Sequence, residues 1–430
     1  MSIKNTLKDL LSQCIDIPLE DIKIRLENNT NEIYYTSNII LILEEKLNQN
    51  SDIIYKTIKN NIKSNEIIED LDLLENKLLK ITIKKDYLIK NLNKILEKNA
   101  EYGKNNIGNN QSINIELFIN NFEIENYIKT IINIDNISRI MEFSGYNIEK
   151  EIYINDVNYI QLEEKIKEKL DNYRIYIEKY SNNKNLEEEY LIEDVLNKIR
   201  YSANCYIEEN NIIIKNIDEE SKEKYILIDN QGNYTDFSKY IAHIYEKYKN
   251  NYDNIIIYTD NNENYIINLK EEIKYLNNNN NNLNIKKIEN NSIIKNETNM
   301  NKIRYMYLMN NYNFEELAKN YYKVITISSK LEKIIKKINN KLDQYNNINN
   351  NITYNILYKL IDFEDLIITT CQYKEPILLM NYASELINLL NIIIESNSFN
   401  NKNIINLLNA SKIIINNILR LTGLIPEDEI

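Results

Sequence analysis

Arg139–Gln161 reads RIMEFSGYNIEKEIYINDVNYIQ, and the change of pattern inside it sets the fold. The helix-like run Ile124–Phe143 stops just before Gly145, and the strand-like run Glu151–Ile154 follows. The alternation continues outward on both sides. Ser112–Phe118, Tyr225–Asp229 and Asn254–Thr259 are strand-like, whereas Asp236–Tyr248 and Ile266–Leu276 are helix-like. Strands alternating with helices predict a doubly wound parallel α/β sheet over residues 106–301, interrupted by a helical insertion at about 160–200.

On the N-terminal side, residues 1–105 mix helical patterns with short β-rich pieces, as in Leu74, Leu78, Leu79, Ile81 and Ile83 ahead of Tyr87–Leu96, and predict a small α+β domain. On the C-terminal side, strand signals fade from Lys302. Leu378, Tyr382, Leu386, Leu389 and Ile393 share one helical face, as do Leu407, Ala410, Ile414, Ile418 and Leu421. Pro376 suits a first helical turn, and Gly423 with Pro426 ends the last helix, so residues 302–430 predict an all-α bundle. The whole is a multi-domain α/β chain.

Composition narrows the chemistry. The formal charge of −12 argues against broad adhesion to nucleic acid or anionic membrane, and DNA and membrane partners are not expected. The first residues carry charges where a signal peptide needs apolar ones, and no run was expected to reach the roughly 18 apolar residues of a membrane span, so a cytoplasmic location is expected. Cys14, Cys205 and Cys371 lie far apart outside any CxxC spacing and predict reduced, packed thiols. His243 is the only histidine, which removes His-based metal clusters and Ser/His or Cys/His nucleophile pairs; it reads as a core or helix-surface residue, and no metal site is expected.

Several stretches resemble the arginyl-tRNA synthetases in colinear order. Gly145, Tyr146, Asn155 and Asp156 in the opening stretch carry the match to the segment after that family's first catalytic signature. Tyr102-Gly103 and Ile107-Gly108 are similar to the linker into the catalytic domain, NQGNYTDFSKYIAHIYEK to the Thr-Tyr segment, and IRYMYLMNN to the lead-in of the anticodon-binding domain. KEPILLMNYASELINLL and LRLTGLIPEDE resemble the end of that domain. The chain's five glycines all fall on glycine positions of the pattern.

The resemblance implies ATP-dependent arginylation of tRNA, yet most positions that would carry it have changed. The His-Ile-Gly-His signature falls on Ile124, Glu125, Asn126 and Tyr127, which puts a carboxylate where phosphate would bind. Asn121 matches the amino-acid-binding Asn. The Tyr and Asp that read the guanidinium fall, exchanged, on Asp236 and Tyr240. The family's Gly-Ala-Asp-His segment falls near Asp260, Asn261 and Asn262, and too little chain lies between Ile294 and Arg304 for the Lys-Met-Ser-Lys loop. Asn121, Asn155, Asp156, Asp236 and Tyr240 are the amino-acid-pocket candidates. Tyr34, Tyr35 and Asn38, which match the segment that meets the tRNA elbow, are tRNA-binding candidates together with Tyr382 and Arg420. The expectation is a non-catalytic relative that binds tRNA or a protein partner, with no cofactor. The alternatives are a strongly diverged active ligase, which would use ATP and magnesium, and a structural or regulatory subunit without tRNA binding.

Overall fold

The computed structural model describes residues 2–14, 18–28, 32–62, 65–120, 124–156, 158–182, 189–201, 205–215, 217, 223–277, 282–288, 299–309, 314–339, 351–395 and 402–426. It divides into two compact units, Asn106–Asn310 and a second built from Met1–Asn105 with Asn311–Ile430. The helix Met300–Met309 falls in the first unit, so the boundary read at 301/302 lies at 310/311 in this division.

The N-terminal segment contains α1 (Ile3–Cys14), β1 (Ile24–Asn28), β2 (Ile33–Ser37), α2 (Ile39–Leu47), α3 (Ser51–Asn61), β3 (Ile68–Leu73), β4 (Leu79–Ile83) and α4 (Lys85–Lys98). Its strands form an antiparallel sheet in the order β1-β2-β4-β3. On β4 the pattern alternates, burying Leu79, Ile81 and Ile83, as a sheet with one covered face requires.

The central unit follows with β5 (Ser112–Ile119), α5 (Ile128–Phe143), β6 (Asn147–Ile154), α6 (Tyr159–Asn172), β7 (Lys179–Asn182), α7 (Glu189–Tyr201), β8 (Cys205–Glu208), β9 (Asn211–Ile214), β10 (Ile226–Ile228), α8 (Asp236–Lys249), β11 (Asn254–Thr259), α9 (Glu263–Leu276), β12 (Leu283–Lys287) and α10 (Met300–Met309). The order β12-β11-β5-β6-β7 with every pair parallel is a doubly wound sheet. Two expectations need correction. The stretch at 160–200 is not an insertion: α6 is the crossover into β7, whose KYSN sequence is too polar to read as a strand because it sits at the sheet edge. Tyr225–Asp229 does not join the parallel sheet either. Its short strand pairs antiparallel with β9, its near neighbour in sequence, in a separate sheet β10-β9-β8.

In the second unit, α11 (Phe314–Asn339), α12 (Asn351–Tyr373), α13 (Ile377–Glu395) and α14 (Lys402–Leu421) form the bundle, with α13 and α14 packed together. Contrary to the sequence reading, α13 is long and apolar enough to cross a membrane by length and composition. Here it buries Leu379, Met380, Ala383, Leu386 and Leu390. Within this unit α12 is the spine on which the N-terminal segment packs. Lys4 pairs with Asp362 at 2.9 Å, and the Ile83 amide donates to the Tyr358 hydroxyl at 2.7 Å.

Candidate active site

In a doubly wound sheet, ligands bind beyond the carboxyl ends of the strands where strand order reverses. Here that point lies between β5, from which the chain steps to β6 and β7, and β11, from which it steps the other way to β12. The chain's own side chains bond across it. Asn120, just past β5, donates its amide to Asp260 Oδ1 at 2.7 Å and to Asn261 Oδ1 at 2.9 Å, both just past β11. The Tyr127 hydroxyl donates to Asp260 Oδ2 at 2.7 Å, with its ring buried. Asn155, at the end of β6, donates weakly to Asn120 at 3.5 Å.

Ile124–Tyr127, the stretch onto which the resemblance puts the family's signature, lies beside this network. Ile124–Asn126 form one turn of 3-10 helix and Tyr127 caps α5. Glu125 does not face the crevice unopposed: Lys169 of α6 pairs with it and holds its carboxyl below the usual range. The sequence argument that Glu125 repels phosphate is therefore weakened, because its charge is already met. The pair borders a cavity of about 450 Å³ with an aliphatic floor that includes Ile119, Ile154 and Ile166; Asp156 also lines it. Asp156 accepts the Asn158 amide at 2.7 Å. Asn121 and the lysine-loop segment 289–298 lie outside the described residues.

Asp236 and Tyr240 do not share a site. Asp236 is exposed in the first turn of α8, while Tyr240 is buried with its hydroxyl on Glu116. The reason is a buried ion network that the sequence reading missed. On β5 the residues Asn114, Glu116 and Phe118 face one side; in register beside them on β6 stand Glu149, Glu151 and Tyr153. Glu116 and Glu151 are thus adjacent like charges, a destabilising arrangement by itself. From α8, Tyr240, His243 and Lys247, spaced to share one helical face, come down onto them. Lys247 Nζ lies 2.5 Å from Glu116, 2.6 Å from Glu151 and 2.6 Å from the Asn114 oxygen; His243 Nε2 lies 2.8 Å from Glu116.

Burial alone would push both carboxyls up, but Lys247 and His243 outweigh it and hold them below the usual carboxylate range. Lys247 is likewise lowered by burial but raised overall by the two carboxylates. Glu116, Glu151 and His243 offer three metal-ligating atoms within 4.8 Å of one another. Lys247 already places a cation on both carboxylates. The signal in the sequence was a carboxylate inside each of two apolar strand patterns, SINIELFI and EIYI, which calls for an internal cation.

The remaining candidates make contacts within the chain. Tyr35 and Tyr382 are buried, one hydroxyl on Asp362 at 3.4 Å and the other on the Lys359 carbonyl, so neither faces outward to stack on a base. Arg420 donates to the Ala100 carbonyl at 2.6 Å. Asn38 accepts the Lys23 amide at 2.8 Å, and Tyr34 lies half-buried under the Lys80 ammonium, 4.7 Å from its ring centre. His243 is a core residue; of the cysteines, Cys371 is buried and Cys205 half-buried, both as free thiols. Arg304, from the expected lead-in to the bundle, is buried in the central unit and clamps Asp135 and Asn136 of α5. Burial pushes the Asp135 carboxyl up, and Arg304 and Arg139 bring it below its ordinary value.

The sheet topology and the crevice beyond β5 and β11 define a multi-domain α/β protein with a doubly wound parallel sheet. The profile for "Arginyl tRNA synthetase N terminal domain" matches residues 1–76. An arginine–tRNA ligase of Brucella ovis is 22% identical over 161 residues, 36% of this chain and 27% of that relative, so the matched region spans about a quarter of the relative's length. Among solved structures, the arginyl-tRNA synthetase of Plasmodium falciparum aligns with a TM-score of 0.75 at 16% identity, over 99% of this chain and 98% of that one. The Thermus thermophilus arginyl-tRNA synthetase aligns with 0.70 at 11%, over 99% and 100%. The chain is thus similar to the arginyl-tRNA synthetases in residues 1–76 by sequence and over almost its whole length in fold.

Proposed function

We propose that this chain is a non-catalytic arginyl-tRNA synthetase-like protein of the cytoplasm that binds tRNA. One observation carries the reading. The crevice where a triphosphate and an amino acid would meet is bridged by Asn120, Asp260, Asn261 and Tyr127, so ligand entry has to break these bonds. The bridging groups are amides, a phenol and a carboxylate. None of them supplies the positive charge that stabilises a developing phosphate charge, so the bridging residues themselves do not fit a triphosphate. Adenylation also needs a site for the arginine guanidinium, and Tyr240 is committed to Glu116.

The second reading, a diverged active ligase, draws on the cavity lined by Glu125 and Asp156, which leaves room for a small ligand. Arginine-dependent ATP–pyrophosphate exchange separates the two. The expected result is no exchange above background, and no rise in melting temperature with millimolar ATP and magnesium, because a ligand stabilises a fold only through binding. Arginylation of any tRNA by the purified chain, lost on Asp156→Asn, establishes the ligase instead.

A further inference from the structure

Two aspartates of α12, Asp362 and Asp365, stand three residues apart and so share one face of the helix. Both are buried, at 8% and 5% exposure. Helix α1 packs on α12, and its first turn brings the groups that meet the two carboxyls. Lys4 Nζ pairs with Asp362 Oδ1 at 2.9 Å. The Lys4 backbone amide, one of the donors that a helix start leaves free, donates to Asp365 Oδ2 at 3.0 Å, and the Ser2 hydroxyl donates to Asp365 as well. From β2 the Tyr35 hydroxyl donates weakly to Asp362, at 3.4 Å. The charges at this junction do not balance. Among the described residues the other ammonium close to Asp362, that of Lys359, is taken up by Glu385 of α13, and Glu364 on the same helix is taken up by Lys94 of α4. The remaining titratable neighbours are Tyr358 of α12, Tyr382 of α13 and Tyr102 before β5, phenols that burial keeps neutral. Asp365 therefore faces a second carboxyl without an ammonium of its own.

Two buried negative charges on neighbouring turns repel one another across a single ammonium, whereas one proton leaves a matched ion pair beside a neutral acid. We propose that Asp362 and Asp365 form a proton-operated clasp, which holds α1 on α12 while the two carboxyls carry one proton between them and loosens α1 when both are ionised. The bonds it controls join positions 361 apart in the chain, so what titrates is the attachment of one distant segment to another. Burial first, and then the Asp362 charge, push the Asp365 carboxyl up to about 6, with Lys4 and Ser2 offsetting part of the rise. Asp362 is raised as well, by burial, against the pull of Lys4. Because the folded value for Asp365 lies above the ordinary 3.8, its contribution to stability is fully present below 3.8 and is lost as pH rises through about 6. The clasp is closed in mildly acidic solution and slack above neutrality. Release of α1 bares Ile3, Leu7 and Leu11, all buried while it is closed.

Amide hydrogen exchange of the full chain, read by mass spectrometry on one peptide from α1 and one from α14, tests this at about pH 5 and about pH 7.5, with each rate divided by the intrinsic rate at that pH. Protection in α1 is expected to fall about 10-fold between the two, the loss that a rise from 3.8 to about 6 produces over that interval, while α14 keeps its protection. Asp365→Asn cannot ionise yet keeps an oxygen for the Lys4 amide, and it is expected to abolish the fall. Should that variant not fold, Asp362→Asn removes the like charge and frees Lys4 for Asp365, and the fall is expected to shrink below about 3-fold. Equal α1 protection at both pH values in wild type overturns the clasp. So does an undiminished fall in Asp365→Asn, or in Asp362→Asn where that variant replaces it. A fall of α14 in step with α1 overturns it too, because the titration then acts on the whole fold and not on the attachment of α1.

Discussion

At the scale of single residues, Lys247 is the side chain on which the central unit most depends. It is 1% exposed and pairs with two buried carboxylates that sit in register on adjacent strands. Lys247→Met keeps most of the side chain's length and removes the charge, leaving Glu116 and Glu151 without the cation they share, a loss of about 3–5 kcal/mol for a broken buried pair. Urea unfolding is expected to show that loss, and adding Glu116→Gln/Glu151→Gln to recover part of it. A Lys247→Met midpoint equal to wild type means the network does not hold the sheet together. Glu272 is the opposite case. It is buried on α9, its Oε2 has no hydrogen-bond partner among the described residues, and burial with Glu271 nearby pushes its carboxyl up to about 7. Because the folded value lies above the ordinary 4.5, its contribution to stability is fully present below 4.5 and is lost as pH rises through about 7. Glu272→Gln is therefore expected to gain on the order of 1–3 kcal/mol at pH 8 and little at pH 4. Melts at the two pH values check the sign.

At the scale of elements, the turn before β5 is tied to the turn before β6. The Gly108 amide donates to the Ser144 carbonyl at 2.9 Å, and the Asn110 amide to the Gly145 carbonyl at 2.8 Å. A Cβ on Gly108 would stand 2.5 Å from the Tyr146 ring and 2.6 Å from its backbone nitrogen, so one of the two turns has to move. Gly108→Ala is expected to cost about 1–3 kcal/mol by overpacking. Gly232 isolates the conformational part: its φ is +90° with nothing within 4 Å of an added Cβ, so Gly232→Ala costs about 1–2 kcal/mol from backbone strain alone. Thermal denaturation of both variants separates crowding from strain, and a neutral Gly108→Ala removes the linked-turn account.

At the scale of the whole molecule, the two ends of the chain build one unit. Asp362 of α12 takes the Lys4 ammonium, and Asn417 of α14 donates to the Asn99 and Tyr102 carbonyls at 3.2 Å. Tyr102 stacks near Phe363, with ring centres 6.1 Å apart. A fragment 311–430 made without residues 1–105 exposes these apolar and charged groups together. It is expected to melt without a cooperative transition and to aggregate, whereas co-expression with 1–105 restores a soluble, cooperatively melting pair. A sharp transition for 311–430 alone means the bundle is an independent domain.

The sequence by itself determined the parallel sheet, the α+β start and the helical end, because each is written in local periodicity. It also placed the ends of α13 and α14 through Pro376, Gly423 and Pro426. Only tertiary structure decided the rest. Strand register set Glu116 beside Glu151 and brought Lys247 down on both, long-range pairing turned KYSN into a sheet edge, and packing buried Tyr35 and Tyr382, which the family resemblance had offered to RNA. Those outcomes depend on which distant segment covers which face, and no window of neighbouring residues carries that information.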